Sequence, residues 1–329
     1  MSVPTSHQRI AIIGAGHVGA TTAYALMLRG LFAEVILIDT DSALAIAEAA
    51  DISDAGALAR PARIFAGDYA DAASARIAVL TAGAATHGSE SRLSIASRSA
   101  SIVTSCVAEL MAAGFDGILI VACNPVDVMA LTAFRCSGLP AARVIGTGTL
   151  LDSCRLRQEI ANRLNVAPAA IDGTVLGEHG DSEVAVLSSI RVGGVPLERF
   201  PSGLALMDLQ QIADQVRGAA YEIMAGKGYT SFGVATAAVR ICEAIVRDER
   251  VVLPVSSLLT GQFGISDLYL SLPCLIGAGG IERVLVPALN RHEEAALRES
   301  ASVVREAMAA TTSPIHASAV EFSAADVRT

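Results

Sequence analysis

A glycine turn near the N-terminus constrains the fold of this chain more than any other feature. Gly14, Gly16 and Gly19 form the pattern GxGxxG directly after an apolar run and directly before a stretch with helical spacing. The glycines permit a tight turn and a close approach of the backbone to a pyrophosphate, which the N-terminus of the following helix attracts. Asp39 ends the next apolar run, 20 residues after Gly19, where a carboxylate can accept hydrogen bonds from an adenosine ribose. The segment therefore predicts a dinucleotide site.

The alternative explanation of the glycine turn is a tight turn followed by an unrelated capping aspartate. The order of strand, turn, helix, strand and aspartate disfavours that alternative. Residues 39–41 read Asp-Thr-Asp and offer no arginine for a 2′-phosphate. The sequence therefore favours NAD over NADP.

The first half of the chain alternates short apolar runs with alanine-rich stretches of helical spacing. The runs are β-branched and lack polar alternation, which is typical of strands buried on both faces. We predict strands at residues 10–13, 34–39, 63–66, 77–81, 117–122 and 143–146, and helices at 19–29, 43–50, 92–113 and 125–135. This order predicts an α/β fold with a doubly wound parallel (Rossmann) sheet and right-handed crossovers.

The pattern changes after Leu164. Strand-like runs at 174–176, 184–190, Val195 and 266–273 mix with long helical stretches at 204–225, 230–247 and 293–310. This mixture predicts a second, α+β substrate domain. We therefore predict an NAD-binding domain over residues 1–147, a substrate domain over 148–310 and a loose C-terminal tail over 311–329, where no periodicity is visible.

Composition and charge exclude several classes of protein. The net charge is −9 and no basic stripe occurs, so we expect neither nucleic acid nor an anionic membrane surface as a partner. The most apolar stretch, 117–133, is interrupted by Asn124, Pro125 and Asp127, so no membrane span is expected. The six cysteines lack CxxC spacing, which favours free thiols over disulfides or a metal site. Residues 1–9 contain no apolar signal core, so the expected location is the cytoplasm.

Further segments carry candidate catalytic and ligand-binding side chains. His179 lies in a glycine-containing loop where its ring can approach a ligand, although such a histidine is more often only solvated. Asp152 and Arg155 are three residues apart at the start of a predicted helix and so share one face. Arg92 ends the loop after the fourth predicted strand, and Asn124 follows the fifth, on the side where open α/β sheets bind ligands. The alternative for Arg92 is a surface arginine at a helix start.

These segments resemble those of the L-lactate/malate dehydrogenase family, in particular its lactate dehydrogenase-like branch. The resemblance runs from Ile10 to about Ala309 and includes the further segments 81–84, 144–148, 227–231 and 255–257. Chance agreement of so many collinear segments is negligible. The resemblance implies the fold predicted above, NAD as cofactor, and hydride transfer involving a small 2-oxo or 2-hydroxy acid.

By matching position, the resemblance implies catalytic roles for four residues. His179 would exchange a proton with the carbonyl or hydroxyl oxygen of the substrate, which suits a side chain with an unperturbed pKa of about 6.5. Asp152 would orient the imidazole and stabilise its cationic form. Arg155 would bind the substrate carboxylate through its planar fork, and Arg92 would polarise the substrate carbonyl.

The resemblance also implies two sets of binding residues and no metal ligand. The cofactor set is Gly14, Gly16, His17, Val18, Gly19, Asp39, Thr81, Ala82, Gly83 and Asn124. The substrate set is Thr86, Arg92, Asn124, Arg155 and Thr230.

Thr86 departs from the family pattern at the position implied to select the substrate. Lactate dehydrogenases typically have glutamine there, and malate dehydrogenases have arginine. Threonine cannot pair with the second carboxylate of oxaloacetate, and it leaves more room than glutamine. We therefore expect a lactate-type L-2-hydroxy acid dehydrogenase that tolerates larger substrate side chains, and the small Ala219 and Ala220 agree. The alternatives are malate dehydrogenase and a dinucleotide-binding regulator without catalysis, which the complete catalytic set disfavours.

Two positions bear on regulation. Some bacterial members of the family are activated by fructose 1,6-bisphosphate through an arginine and a histidine at a subunit interface. Arg157 matches the arginine, but Asp172 occupies the position of the histidine, and a carboxylate repels a bisphosphate. We therefore expect no such activation. The resemblance also implies a homo-oligomer, a tetramer more than a dimer.

Overall fold

The structure is a computed structural model that describes residues 9–84, 92–201 and 204–312. Its strands are β1 (Arg9–Ile13), β2 (Glu34–Ile38), β3 (Arg63–Ala66), β4 (Ile77–Leu80), β5 (Ile118–Val121), β6 (Val144–Gly146), β7 (Ile171–Asp172), β8 (Val175–Leu176), β9 (Val184–Ala185), β10 (Arg191–Val192), β11 (Val195–Pro196), β12 (Val251–Thr260), β13 (Ser266–Gly277) and β14 (Gly280–Val284). Its α-helices are α1 (His17–Arg29), α2 (Ser42–Leu58), α3 (Tyr69–Ala72), α4 (Arg92–Ala112), α5 (Val126–Ser137), α6 (Leu150–Leu164), α7 (Leu206–Lys227), α8 (Phe232–Val246) and α9 (Arg291–Thr312).

The first six strands form the parallel part of the main sheet. β1 pairs with β2 on one side and with β4 on the other, β2 continues to β3, and β4 continues through β5 to β6. The strand order therefore reverses between β1 and β4, which is where open α/β sheets bind ligands. The predicted doubly wound parallel sheet is confirmed, and each strand predicted in this half overlaps an observed one.

Burial on both faces explains why these strands are continuously apolar. Ala11 and Ile13 of β1 pack in a core layer shared with α4, whereas Ile10 and Ile12 pack in the opposite layer with α1. Successive side chains of a strand point to opposite faces, so both layers require apolar residues. The loops at the carboxyl edge therefore extend from strands that are buried on both faces.

The main sheet continues past the predicted domain boundary at residue 147. β12, β13 and β14 extend it in antiparallel fashion, and β12 joins β6 through the pair Ser256 and Gly146. Within the described ranges, two smaller sheets lie apart from it, one formed by β7, β10 and β11 and one by β8 and β9. The α+β character predicted for the second half is present, whereas the boundaries 1–147 and 148–310 stay predictions.

The sequence pattern does not predict strand β12. Pro254 and two serines interrupt its apolar run and make it look like a loop. In the structure Pro254 lies opposite Pro273 of β13, so two residues that lack an N–H face each other. Ser256 and Ser257 are buried at the centre of the strand. The polar residues therefore have partners inside the protein, a feature that periodicity alone cannot reveal.

Other boundaries differ from the prediction. The strand predicted at 184–190 is wrong beyond Ala185, because Leu187–Ser189 forms a 3₁₀ turn. Helix α2 continues past the predicted end at residue 50, since Ile52 and Gly56 prolong its buried face. The first two residues of the predicted tail 311–329 belong to α9, and the rest of that tail lies outside the described residues.

Candidate active site

Two segments separated in sequence meet beside the carboxyl edge of the main sheet. Asp152 and Arg155 lie in the first turns of α6, which follows β6. His179 lies in the turn between β8 and β9, an antiparallel pair in which Leu176 is opposite Val184. The fold thereby brings His179 and Asp152, which are 27 residues apart, into hydrogen-bond contact.

Asp152 connects the histidine to the arginine. Its Oδ2 lies 2.6 Å from His179 Nδ1, and its Oδ1 accepts a hydrogen bond from Arg155 Nη1 at 3.0 Å. Asp152 is buried, whereas 24% of the His179 side chain is exposed. Because the carboxylate occupies Nδ1, Nε2 is the ring atom available to a ligand.

Burial and charge have opposite effects on the ionisation of this pair. Burial by itself lowers the pKa of His179, but the Asp152 carboxylate outweighs it and raises that pKa to about 9. Burial by itself raises the pKa of Asp152, but His179 and Arg155 reverse this effect and lower it. At neutral pH the pair is therefore an imidazolium next to a carboxylate. A histidine in this state can donate a proton to an oxygen of a ligand.

A second buried carboxylate holds the backbone of the histidine. Asp127 Oδ2 accepts a hydrogen bond from His179 N at 2.9 Å, and Asp127 Oδ1 accepts one from Ser256 Oγ at 2.5 Å. Asp127 lies in the first turn of α5, just after the cis peptide bond between Asn124 and Pro125. Burial raises its pKa to about 6, although both hydrogen bonds oppose the shift.

The turn that carries His179 is also attached to α9. Glu178 N donates to Ser300 Oγ at 2.8 Å, and the Glu178 carboxylate accepts hydrogen bonds from the backbone and hydroxyl of Ser182. Gly177 has a φ of +87°, and a Cβ there would lie 2.7 Å from Ser300 Oγ. Only glycine combines that backbone conformation with so close an approach. The turn is therefore fixed from both sides.

Glu183 is a buried acid near the same charges. Burial has the largest effect on its pKa and the Asp152 carboxylate the next, and together they raise it to about 8. The cations His179 and Arg155 oppose this shift. A carboxyl group that stays mostly protonated at neutral pH adds little negative charge, so Asp152 remains the main counter-ion of the histidine.

The glycine turn packs the backbone of β1 and α1 against the loop after β4. Gly14 has a φ of +106°, and a Cβ there would lie 2.7 Å from Ala82 N. A Cβ on Gly19 would lie 1.8 Å from the carbonyl oxygen of Gly14. Thr81 Oγ1 donates to the same carbonyl at 2.8 Å. These contacts leave no room for side chains, so the turn presents backbone to whatever binds it.

An aromatic stack lies at the start of α1. The ring of His17 stacks on that of Tyr229, with 3.8 Å between the centroids and 10° between the planes. Lys227 Nζ lies 4.2 Å from the centre of the Tyr229 ring and 4.0 Å from that of Phe232. Because Tyr229 lies between α7 and α8, this stack joins the second half of the chain to the glycine turn.

Family comparisons identify both halves of the chain. Residues 8–146 match the model of the lactate/malate dehydrogenase NAD binding domain. Residues 149–314 match the model of the lactate/malate dehydrogenase alpha/beta C-terminal domain. The chain belongs to the lactate/malate dehydrogenase family.

Relatives of known name agree with this membership. The L-lactate dehydrogenase of Thermus aquaticus is 44% identical over 306 residues, which cover 92% of this chain and 99% of that protein. The L-lactate dehydrogenase of Limosilactobacillus reuteri is 42% identical over 303 residues, covering 92% and 94%. Among solved structures, the ligand-bound minor L-lactate dehydrogenase of Enterococcus mundtii superposes with a TM-score of 0.91 at 37% identity, covering 94% of this chain and 100% of that one.

NAD is the cofactor of this dehydrogenase, and the described residues fit it. Gly16 precedes α1 without a side-chain cap, so no side chain of the cap residue competes with a pyrophosphate for the N-terminal amides of that helix. Asp39 ends β2, where its Oδ2 accepts from Ala15 N at 2.6 Å and its Oδ1 from Asp41 N at 2.9 Å. The carboxylate is thus held next to the glycine turn, as binding of a ribose requires. The remaining predicted cofactor residues of this region are His17, Val18, Thr81, Ala82 and Gly83.

The predicted substrate residues are described unevenly. Thr86 lies outside the described residues. Arg92 begins α4, but the structure describes only its backbone. Asn124 is exposed directly after β5, and Thr230 is half-buried just before α8. The roles given to these residues stay predictions.

The structure adds residues to the site that the sequence reasoning misses. Asp127 holds the backbone of His179 and is itself held by Ser256, and Ser300 holds the neighbouring residue Glu178. A signal for Asp127 exists, because it follows Asn124 by three residues in a segment already assigned to the site. Ser300 has no such signal, since nothing in the sequence distinguishes it from Ser302, the other serine of α9.

Within residues 9–84, 92–201 and 204–312, no group of three or more His, Cys, Asp or Glu is placed to hold a metal ion. In the part of the chain that the structure describes, no helix is long and apolar enough to cross a membrane.

Proposed function

We propose that the chain is an NAD-dependent L-2-hydroxy acid dehydrogenase of the lactate type, which transfers a hydride reversibly between NADH and a 2-oxo acid such as pyruvate. The observation that carries this proposal is the linked contact of His179, Asp152 and Arg155, at 2.6 and 3.0 Å. It combines a proton donor with a cation that can bind a carboxylate, the two groups that a 2-oxo acid requires. The names of the relatives described above support the same substrate class.

His179 moves the proton. During reduction, Nε2 donates its proton to the carbonyl oxygen of the substrate while a hydride bonds to the carbonyl carbon, and a hydroxyl group results. Bound NADH supplies that hydride. During oxidation, Nε2 accepts the hydroxyl proton. The Asp152 carboxylate keeps the proton on Nδ1 and stabilises the imidazolium, so both directions use the same ring atom.

Arg155 binds the carboxylate of the substrate. One of its N–H groups is hydrogen-bonded to Asp152, which leaves others for a bidentate contact. Its side chain is only 18% exposed, so the contact forms where water weakens it little. Arg92, by its position in the family, polarises the carbonyl where negative charge develops.

Residue 86 sets the expected substrate preference. A neutral threonine favours a monocarboxylic 2-oxo acid over oxaloacetate, and its small volume favours longer or branched side chains. Ala219, Ala220 and Thr230 are consistent with such a pocket. The proposed activity is therefore that of a lactate-type enzyme with tolerance for larger substrates.

We also propose a cytoplasmic homotetramer without activation by fructose 1,6-bisphosphate. Leu58, Met207 and Phe232 expose large apolar surfaces on three helices, which is typical of subunit contacts. Asp172, at the position matched to the histidine of the activator site, is exposed and would repel phosphate. Light scattering that gives the mass of one chain would contradict the tetramer, and a marked fall in KM on adding the sugar bisphosphate would contradict the second proposal.

The decisive experiment measures NADH oxidation with pyruvate, oxaloacetate, 2-oxoisocaproate and phenylpyruvate, with NADPH as the cofactor control. The highest kcat/KM with pyruvate identifies a lactate dehydrogenase in which Thr86 is a tolerated variation. A bulky 2-oxo acid as the best substrate indicates that Thr86 has opened the pocket. Preference for oxaloacetate would instead indicate malate dehydrogenase, and the absence of any turnover would refute the proposed function.

A further inference from the structure

Asp127 and Glu293 are buried carboxylates that make matching hydrogen bonds in different surroundings. Asp127 accepts one bond from a backbone N–H, that of His179, and one from the hydroxyl of Ser256. Glu293 likewise accepts from the backbone N–H of Ser188 at 3.0 Å and from the hydroxyl of the same serine at 2.7 Å, and it accepts a third bond from Asn290 N at 3.0 Å. The exposed fractions are 2% and 5%. The backbone donor of Asp127 belongs to His179, whereas that of Glu293 belongs to Ser188, so a comparison of the two carboxylates separates an effect on the histidine from a general effect on stability.

The position of Asp127 connects three elements that form the site. Asp127 lies on α5, His179 on the turn between β8 and β9, and Ser256 on β12. Asn124 precedes Asp127 by three residues and is exposed at the end of β5. Residues 124–127 therefore carry both the predicted contact to the ribose and the substrate, Asn124, and the support of the histidine, Asp127.

The charges that face Asp127 link its ionisation to that of the histidine. Burial has the largest effect on the pKa of Asp127 and raises it, the Ser256 hydroxyl and His179 lower it, and the Glu178 carboxylate raises it. For His179, burial lowers the pKa, Asp152 raises it most, and Asp127 and Glu183 raise it further. At neutral pH Asp127 is mostly ionised, so its negative charge lies next to the backbone of the imidazolium residue.

We propose that Asp127 is a positioning residue of the catalytic histidine, fixing the His179 backbone against α5 and β12 and favouring the imidazolium through its charge. The inference deepens the proposed dehydrogenase activity and rests on it. Asp127 acts through His179 and not on the substrate. Two effects follow, one geometric and one electrostatic, and two substitutions separate them.

Asp127→Asn removes the charge and retains the contacts. The amide oxygen can accept from His179 N, and the amide N–H can donate to Ser256 Oγ, because a hydroxyl accepts as well as donates. We expect the pKa of His179 to fall by about one unit in this variant. Asp127→Ala removes both contacts. We expect it to lower kcat at least about tenfold while the KM for NADH stays unchanged, because only the proton donor is displaced.

The experiment is a titration of the histidine ring signals by NMR in the full-length protein, with the His179 signal assigned by its absence in His179→Gln. This measurement requires no substrate, so a failure of the proposed function leaves it interpretable. The pH profile of kcat/KM for pyruvate reduction is measured in parallel. Reduction requires the protonated ring, so the rate is steady below the His179 pKa, near 9 in the parent, and falls above it. In Asp127→Asn we expect the fall to begin at lower pH.

Glu293→Gln is the control, since it also removes a buried carboxylate that accepts from a backbone N–H and from a serine hydroxyl, with Asn290 N as a third donor. We expect it to lower the melting temperature and to leave the His179 titration and kcat unchanged. An unchanged His179 pKa in Asp127→Asn, or an equal shift in Glu293→Gln, overturns the proposal. If Asp127→Ala does not fold, the titration of Asp127→Asn still decides between the outcomes.

Discussion

The dinucleotide turn (residues 14–19) and the proposed catalytic cluster (His179, Asp152 and Arg155) would bind their ligands by opposite means. The turn is built from one continuous stretch, β1 through β2, and it offers backbone because Gly14 and Gly19 leave no space for side chains. The cluster is assembled from separate elements, and it offers the side chains of His179 and Arg155, both in contact with the buried Asp152. The first site depends on shape and the second on charge.

This difference predicts how each site responds to substitution. The dinucleotide turn has no room for an added side-chain atom, but cofactor binding there should not change when the catalytic cluster loses a charge. A cluster of coupled charges retains its shape when a carboxylate becomes an amide, yet it loses the ionisation state on which proton transfer depends. Substitutions that change one property at a time therefore separate binding of the cofactor from the chemical step.

The largest effect is expected for Asp152→Asn, which changes charge and retains size. An amide neither stabilises the imidazolium nor holds the proton on Nδ1, and similar changes in other buried Asp–His pairs lower kcat by about 10⁴-fold. We expect a loss of about 10³-fold to 10⁴-fold in kcat with 2-oxo acids. NADH binding, measured by fluorescence, should stay near that of the parent. A kcat within tenfold of the parent would show that the catalytic cluster does not depend on the charge of Asp152.

A smaller effect, on NADH binding at the dinucleotide turn, is expected for Gly19→Ala. The added Cβ would lie 1.8 Å from the Gly14 carbonyl oxygen, so the turn must open and the amides of α1 move away from the pyrophosphate. We expect the dissociation constant of NADH to rise at least about a hundredfold, which corresponds to roughly 2.7 kcal/mol. Calorimetry or fluorescence titration measures this change.

Gly226→Ala is the control for that substitution. A Cβ on Gly226 of α7 meets no atom within 4 Å. Alanine there should leave NADH affinity unchanged and stabilise the helix by roughly 0.5–1 kcal/mol, since glycine loses more conformational freedom on folding. Equal NADH affinities in the two variants would contradict the description of the turn as a site without space.

The same difference explains how much of each site the sequence predicts. The dinucleotide turn is local, so GxGxxG, the flanking apolar runs and Asp39 are visible together in about one βαβ unit. The parallel strands are equally visible, because burial on both faces leaves continuous apolar runs. For the cluster, helical spacing links Asp152 to Arg155. His179 is added to them only by resemblance to a family, because no spacing rule links residues that meet only after folding.

The features that the sequence does not predict have polar groups satisfied by distant partners. β12 contains Pro254 and buried serines that look like a loop, and one of those serines bonds to Asp127. The turn of His179 is attached to Ser300, more than a hundred residues later in the chain, through the N–H of Glu178. A buried serine and an exposed one are identical in sequence, so their roles depend on the tertiary contacts.

Ser300 gives the smallest expected effect and tests whether shape also matters in the charged site. Its hydroxyl is buried, accepts from Glu178 N at 2.8 Å and lies 3.1 Å from the hydroxyl oxygen of Ser182, which donates its own proton to the Glu178 carboxylate. Ser300→Ala leaves the Glu178 N–H without this acceptor, which costs about 1–2 kcal/mol of unfolding free energy. We expect kcat to fall less than about fivefold, because Asp152 and Asp127 still hold His179 and no charge is removed.

Ser302→Ala, on the same helix, is the matched control for Ser300→Ala, because the Ser302 hydroxyl donates to a carbonyl of its own helix, Arg298 O. Denaturant unfolding should detect the loss of stability in the first variant and little change in the second. A large loss of kcat in Ser300→Ala with stability unchanged would contradict this expectation. It would mean that the turn needs its attachment to α9 to place the proton donor, and that the catalytic cluster depends on shape as strictly as the dinucleotide turn does.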